Sequence, residues 1–274
     1  MSAHELAHYD MILCKTREAE RIFKPLNAHV VYLGFTCKDR MNESIPKNFK
    51  SLLHLAGASI QKGTDTLTKT WIDNPQFPSL FLIRHAGKTN SQSTSNLNLI
   101  YEYLTDSALN TFQNSCGLHI CPSETEGFGY YIMEALSCGA VVVTTDEPPM
   151  NEFVLDNRCL VGYHRTAPWC WATNYYIDPQ KLEHVITTLL SLPEQELKEI
   201  GRKNREFYLE NDRLVKQRFA EIFSRDFSST SPPDNTENVF TNIYHNRLFG
   251  VRIHQEKVHC LSIRRFTVIF CKIF

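Results

Sequence analysis

Residues 119–154 read HICPSETEGFGYYIMEALSCGAVVVTTDEPPMNEFV. The stretch opens with LHICPS over 118–123, a short and almost wholly apolar run of the kind a strand buried on both faces requires. A loop carrying Gly127 and Gly129 follows, then a helix predicted over 129–138 and ended by Gly139, then the β-branched run AVVVTT over 140–145. Strand, helix and strand in this order form a parallel crossover unit.

The same alternation extends upstream. SLLHLAG over 51–57 and SLFLIRH over 79–85 read as strands, and helices are predicted from Thr64, around 97–104 and over 108–112. The expected fold class is therefore α/β, a Rossmann-like parallel sheet with helices on both faces. Such sheets bind ligands at the carboxyl ends of their strands. Downstream, Leu182, Val185, Ile186, Leu189 and Leu190 have amphipathic spacing, as do Leu197, Ile200, Phe207 and Tyr208, and then Val215, Phe219, Ile222 and Phe223. Three helical segments are expected there, packed on the sheet.

Both ends of the chain depart from this pattern. At the start, DMILCKT over 10–16, a helical stretch over 17–23 and a β-like run over 29–33 make an isolated β, α, β piece. Residues 38–50 form a polar linker. Near the other end, SSTSPPDNTEN over 228–238 reads as a linker, and RRFTVIFCKIF over 264–274 is β-prone without an obvious partner. The expected organisation is the edge of a further domain over 1–37, a linker over 38–50, a ligand-binding domain over 51–226, and an unassigned, poorly ordered tail over 227–274.

Composition removes several classes of function. The 274 residues carry a net charge of −1, with 42% apolar and 22% charged residues, so a folded core is expected and disorder is excluded. At roughly 100–200 residues per domain the length suits one large domain or one domain plus pieces of another. Neutral overall charge supplies no general field for nucleic acid or an anionic membrane, so an anion must be held by a local site. No apolar run is long enough to span a bilayer, and MSAHELAHYD has neither the basic start nor the apolar core of a signal peptide. The expected compartment is cytoplasmic, with peripheral membrane association left open. Nine scattered cysteines with no CxxC pair point to neither a disulfide framework nor a zinc ribbon, and no metal is expected.

Two loops carry chemistry. Residues 52–67, LLHLAGASIQKGTDTL, place Lys62 and Gly63 between a strand and a helix, where backbone N–H groups and the helix dipole favour an anion. A Walker loop needs glycine and then lysine before Ser or Thr, whereas here Lys62 precedes Gly63; a nucleotide hydrolase is the distant alternative. The second loop brings Ser123, Glu126, Gly127, Phe128 and Gly129 to the start of a helix that carries Glu134. A carboxylate accepts two hydrogen bonds at once, which suits neighbouring hydroxyls of a sugar. Glu134 interrupts an apolar stretch in a covered helix, where an unpaired charge is costly. Glu152 lies just beyond the next strand, within reach of a ligand there, with a simple turn or cap residue as the alternative reading. Trp169 and Trp171 in PWCW, and His54, His85 and His119, read as structural residues.

The 119–154 run resembles the donor-binding signature of retaining glycosyltransferases of family 4, GT-B fold, including two glutamates separated by seven residues. Residues 52–67 resemble the phosphate-contacting segment of that family, and the likeness covers about residues 50–225. The resemblance implies a UDP- or GDP-linked sugar as donor, an acceptor of unknown identity, and no cofactor. It places Glu134 on the ribose hydroxyls, Glu126 on the transferred sugar and Lys62 on the diphosphate, with Gly127, Phe128 and Gly129 near sugar and phosphate. Ser123 and Glu152 are further donor-binding candidates. The family commonly has an arginine where this chain has Ala58, and the family fold has a second Rossmann-like domain of which about residues 8–33 correspond to the last piece. A noncatalytic nucleotide-sugar binding module, or a degenerate remnant, is the alternative class.

Overall fold

In the computed structural model the described residues are 2–85, 93–224, 258–263 and 266–271. In chain order they form α1 (Ala3–Leu6), β1 (Met11–Cys14), α2 (Arg17–Phe23), β2 (Val30–Tyr32), β3 (Asn48–Gly57), α3 (Thr64–Asp73), β4 (Leu80–Arg84), β5 (Leu97–Ile100), α4 (Asp106–Ser115), β6 (Cys116–Cys121), α5 (Tyr130–Ser137) and β7 (Val141–Thr145). There follow β8 (Leu160–Val161), β9 (Tyr163–Trp169), β10 (Ala172–Ile177), α6 (Pro179–Ser191), α7 (Glu194–Ser224), β11 (Val258–Ile263) and β12 (Phe266–Cys271). The chain divides into two compact units, Asp39–Tyr208 on one side and Met1–Lys38 with Leu209–Phe274 on the other.

The larger unit is an α/β fold around a six-stranded parallel sheet, ordered β5-β4-β3-β6-β7-β8. Its central strands are covered throughout: every residue of β6 and of β7 is buried. That pattern belongs to a sheet covered on both faces. α5 packs on β6 and β7, α4 on β3 and β6, and α3 against α6. The strand order matters for function. From β3 the chain runs outward through β4 to β5, then returns to lay β6 on the other side of β3. The loops after β3 and β6 therefore diverge at a topological switch point, where open α/β sheets form their ligand crevice.

Two expectations about these elements are corrected. The predicted helix at 97–104 is instead β5, parallel to β4 with Leu97 opposite Leu80 and Leu99 opposite Leu82. Leu97 and Leu99 alternate with Asn98, a period of two, and the following helix starts only where the Thr105 hydroxyl accepts from the Ala108 amide. The three helical segments after Pro179 are two helices, because neither proline nor glycine breaks the chain between Tyr208 and Val215. Along α7, ion pairs at helical spacing, such as Arg213 with Glu210 and Lys216 with Asp212, bridge that interval.

The smaller unit has a four-stranded sheet ordered β11-β12-β1-β2. The run expected to lack a partner supplies β12, which pairs parallel with β1, Met11 opposite Val268 through Cys14 opposite Cys271, and antiparallel with β11. The backbone of β1 thus has partners on both edges, which an isolated pair with β2 could not give it. Leu13, Leu33, Val215 and Phe219 form the core of this unit. The linker signal at 228–238 lies outside the described residues. Among the described helices none is long and apolar enough to cross a membrane.

Candidate functional site

The loop after β3 is shaped by Gly63, which caps α3 with left-handed backbone (φ 62°) and no side-chain cap. A Cβ on Gly63 would stand 2.2 Å from the Pro122 carbonyl oxygen. Only a glycine lets the lysine loop close against the loop that follows β6. Gly63→Ala is therefore expected to lower the stability of the chain by at least the roughly 1–2 kcal/mol of left-handed backbone, read as a fall in melting temperature; an unchanged Tm would contradict the close approach.

Below this contact, His54 ties the two strand ends together. Its Nδ1 donates to the Ile120 carbonyl at 2.7 Å, and its Nε2 accepts from the Thr64 hydroxyl at 2.9 Å. Complete burial pushes its pKa down to about 4, so the ring is neutral in both bonds. The loops are also braced from outside. The Glu124 amide donates to the Gln61 carbonyl at 2.9 Å, the Tyr175 amide to the Glu124 carbonyl at 2.7 Å, and Gln61 Nε2 to Asn174 Oδ1 at 3.2 Å. β10 thus edges both loops.

In the crevice, Lys62 Nζ donates to Glu126 Oε1, with the lysine side chain 16% and the glutamate 9% exposed. Ser123 Oγ donates to the same carboxylate oxygen at 2.6 Å and lies 2.6 Å from the Tyr131 hydroxyl. Since the single serine proton goes to Glu126, Tyr131 must donate to Ser123. Burial pushes the Tyr131 pKa up, which keeps that phenol protonated. The Tyr131 ring lies under the ammonium, 3.8 Å from centroid to Nζ. Three predicted residues, Lys62, Ser123 and Glu126, are therefore brought into one buried group, and α5 adds Tyr131 to them.

Glu134 stands apart from this group, on α5 among Ile132, Met133, Ala135 and Leu136, all buried. It is half-buried, and its Oε2 accepts from Gln113 Nε2 at 3.0 Å. Burial raises its pKa from 4.5 to about 7, against the opposing pull of the Arg40 guanidinium and the Gln113 hydrogen bond. Gly127 is buried and Phe128 half-buried; Gly129 caps α5 with left-handed backbone (φ 73°) and no side-chain cap, so the helix start presents main-chain N–H groups. Glu152 sits on a short 3-10 turn, Met150–Phe153, after β7, the next strand along the same sheet edge.

Sequence reasoning missed Tyr131, Gln113, Arg40 and Asn174. Tyr131 reads as one more apolar helix residue, Arg40 sits in a polar linker, and Gln113 becomes visible only when α4 is laid beside α5. Trp169 and Trp171 flank the tip between β9 and β10 and are each 37% exposed. His119 is buried and donates to the Gln113 carbonyl at 3.0 Å, a structural role. Among the described residues no group of three or more His, Cys, Asp or Glu is placed to hold a metal ion.

The family model described as Glycosyl transferases group 1 matches residues 38–207. An uncharacterized glycosyltransferase of Sulfolobus islandicus rod-shaped virus 1 is 23% identical over 144 residues, 48% of this chain and 43% of the viral protein. Among solved structures, sucrose-phosphate synthase from Thermosynechococcus elongatus superposes with a TM-score of 0.61 at 15% identity, over 83% of this chain and 61% of that one. A trehalose-6-phosphate structure from E. coli, bound with UDP-2-fluoro glucose, gives 0.63 at 11% identity, over 84% and 63%. Anabaena Alr3699/HepE, in complex with UDP and glucose, gives 0.57 at 16%, over 82% and 67%. The chain thus spans less than half the length of the viral relative and under two thirds of the first of these structures.

Proposed function

The chain belongs to the group 1 glycosyl transferases, and from that premise we propose that it binds a UDP- or GDP-linked sugar in the crevice between the β3 and β6 loops and transfers the sugar to an acceptor with retention of configuration, as family 4 does. The buried pairing of Lys62 with Glu126 carries this reading. It holds a cation and a hydroxyl-accepting carboxylate side by side where a diphosphate and its sugar would meet. The named ligands of the similar structures, UDP with glucose and UDP-2-fluoro glucose, support the donor class.

The chemistry follows from charge. As the bond from the anomeric carbon to the diphosphate oxygen breaks, negative charge grows on the leaving oxygens and positive charge on the sugar. Lys62 and the uncapped helix starts at Gly63 and Gly129 stabilise the leaving group, which allows the step without a metal ion or other cofactor. Arrival of the diphosphate draws Lys62 from Glu126 and releases that carboxylate to a sugar hydroxyl. Ser123 keeps Glu126 oriented as the lysine leaves. Glu134 accepts from the neighbouring ribose hydroxyls, and Gly127, Phe128 and Glu152 complete the donor site. Retention is assigned to front-face attack, so no side chain serves as nucleophile.

Because a ligand that binds only the folded state raises its stability, a nucleotide sugar at one hundred times its Kd should add about 2.7 kcal/mol. A panel of UDP- and GDP-linked sugars is expected to include at least one that raises the melting temperature, and Glu134→Ala should remove most of that rise. No shift with any member would count against binding. Release of nucleoside diphosphate with donor and acceptor together separates transfer from binding alone.

A further inference from the structure

Behind Glu134 lies a polar group that neither the proposed chemistry nor packing uses. Gln113 on α4 is completely buried, and Arg40, which leads into β3, is 6% exposed. Arg40 Nε donates to Gln113 Oε1 at 2.8 Å, and Gln113 Nε2 donates to Glu134 Oε2 at 3.0 Å. Arginine has donors only, so the amide oxygen must face it and the amide NH₂ must face the carboxylate. The other carboxylate oxygen, Oε1, accepts no hydrogen bond among the described residues.

Arg40 is itself fixed. Its Nη1 donates to Asp106 Oδ1 at 2.8 Å, its amide to Ser137 Oγ at 3.1 Å, and its carbonyl accepts from Asn110 and Asn114, both at 2.8 Å. Ser137 Oγ in turn donates to the Glu134 carbonyl at 2.7 Å, so the arginine is locked to the same helix turn as the carboxylate it serves.

We propose that Gln113 is a positioning residue for Glu134 and that Arg40 acts through it: the guanidinium sets which end of the amide faces the carboxylate, and the amide pins Oε2 so that Oε1 is presented to the donor's neighbouring hydroxyls. This rests on the reading of Glu134 as the ribose ligand. It gives the site a dependence on pH, since a protonated carboxyl carries an O–H donor on one oxygen and loses the charge that strengthens the bonds from the hydroxyls. The charged and titratable groups facing Glu134 are Arg40 before β3, Asp106 at the start of α4, and Cys138 one turn along α5. Arg40 and Gln113 favour the ionised form, while Asp106 and burial oppose it.

The test titrates the Glu134 side-chain carboxyl by carbon NMR in the ligand-free chain, and measures UDP and GDP affinity from pH 5.5 to 9. The wild-type carboxyl should titrate near 7, and Gln113→Met should move its midpoint up by about one unit. Nucleotide affinity at pH 7 should then fall about fivefold and recover by pH 9. Arg40→Met should shift both curves the same way, and serves if Gln113→Met fails to fold. Glu134→Gln should bind weakly with no step near pH 7. An unmoved carboxyl midpoint in the Gln113 and Arg40 variants overturns the positioning role, whatever the nucleotide does. Unchanged affinity in Glu134→Gln, with the carboxyl midpoint displaced as expected, would instead remove the ribose reading beneath it.

Discussion

Lys62→Met is expected to abolish the rise in melting temperature given by a nucleotide sugar and to lower the stability of the free chain by about 3–4 kcal/mol. Breaking a buried pair from one side leaves the other charge without compensation, a loss of roughly 3–5 kcal/mol at full burial. With the lysine side chain 16% exposed, the lower part of that range applies. Glu126 keeps the Ser123 hydroxyl, but one hydrogen bond does not replace an ammonium. Adding Glu126→Gln to Lys62→Met should therefore restore most of the lost stability, because the orphaned charge is gone, while nucleotide-sugar binding stays absent. The double-mutant cycle by chemical denaturation reads this coupling directly. Recovery of binding in the double variant, or a single variant as stable as the wild type, would contradict the pairing.

Glu134→Gln should act with the opposite sign on stability. The carboxyl of Glu134 titrates near 4.5 in the unfolded chain and near 7 in the folded one. Below pH 4.5 both states are protonated and the residue contributes no pH dependence. Between 4.5 and 7 the unfolded state ionises first, so stability falls as pH rises, by about 1.4 kcal/mol per unit, and levels off above 7. The accumulated loss at pH 8 is on the order of 3 kcal/mol. Glutamine removes it: the variant should gain stability relative to the wild type as pH rises from 4.5 to 7, with a constant advantage above that. Parallel pH–stability curves for the two proteins would contradict the raised pKa. A side chain whose removal strengthens the fold and weakens nucleotide-sugar binding has its explanation in the ligand rather than in packing.

The parallel sheet of the larger unit was legible because β3, β4, β6 and β7 each hold a short, mostly apolar run and are separated by helical segments. β5 was missed because four residues are too short for period-two alternation to stand out beside Tyr101 and Leu104, which lengthen the apolar run toward a helical reading. β12 was legible as a strand but not as a partner of β1, since more than two hundred and fifty residues separate Met11 from Val268 and local pattern carries no information about such pairing. In the candidate site, glycine corners and acidic spacing drew attention to Lys62, Glu126 and Glu134. Nothing in the sequence says that Lys62 reaches Glu126, because that depends on β3 and β6 being neighbours. Nor does it separate Gln113 from the other polar residues of α4; its role exists only once a guanidinium on one side and a carboxylate on the other fix its amide.

In the proposed complex a nucleotide sugar lies across the β3 and β6 loops with its two ends on different acidic residues. Crystals of the chain grown with UDP-glucose, and separately with GDP-mannose, put this placement to the test. One of them should show diphosphate oxygens within hydrogen-bonding distance of Lys62 Nζ, the ribose hydroxyls on Glu134 and the sugar against Glu126. A donor bound elsewhere on the chain, with Lys62 still seated on Glu126 and Glu134 making no contact to ribose, would contradict it.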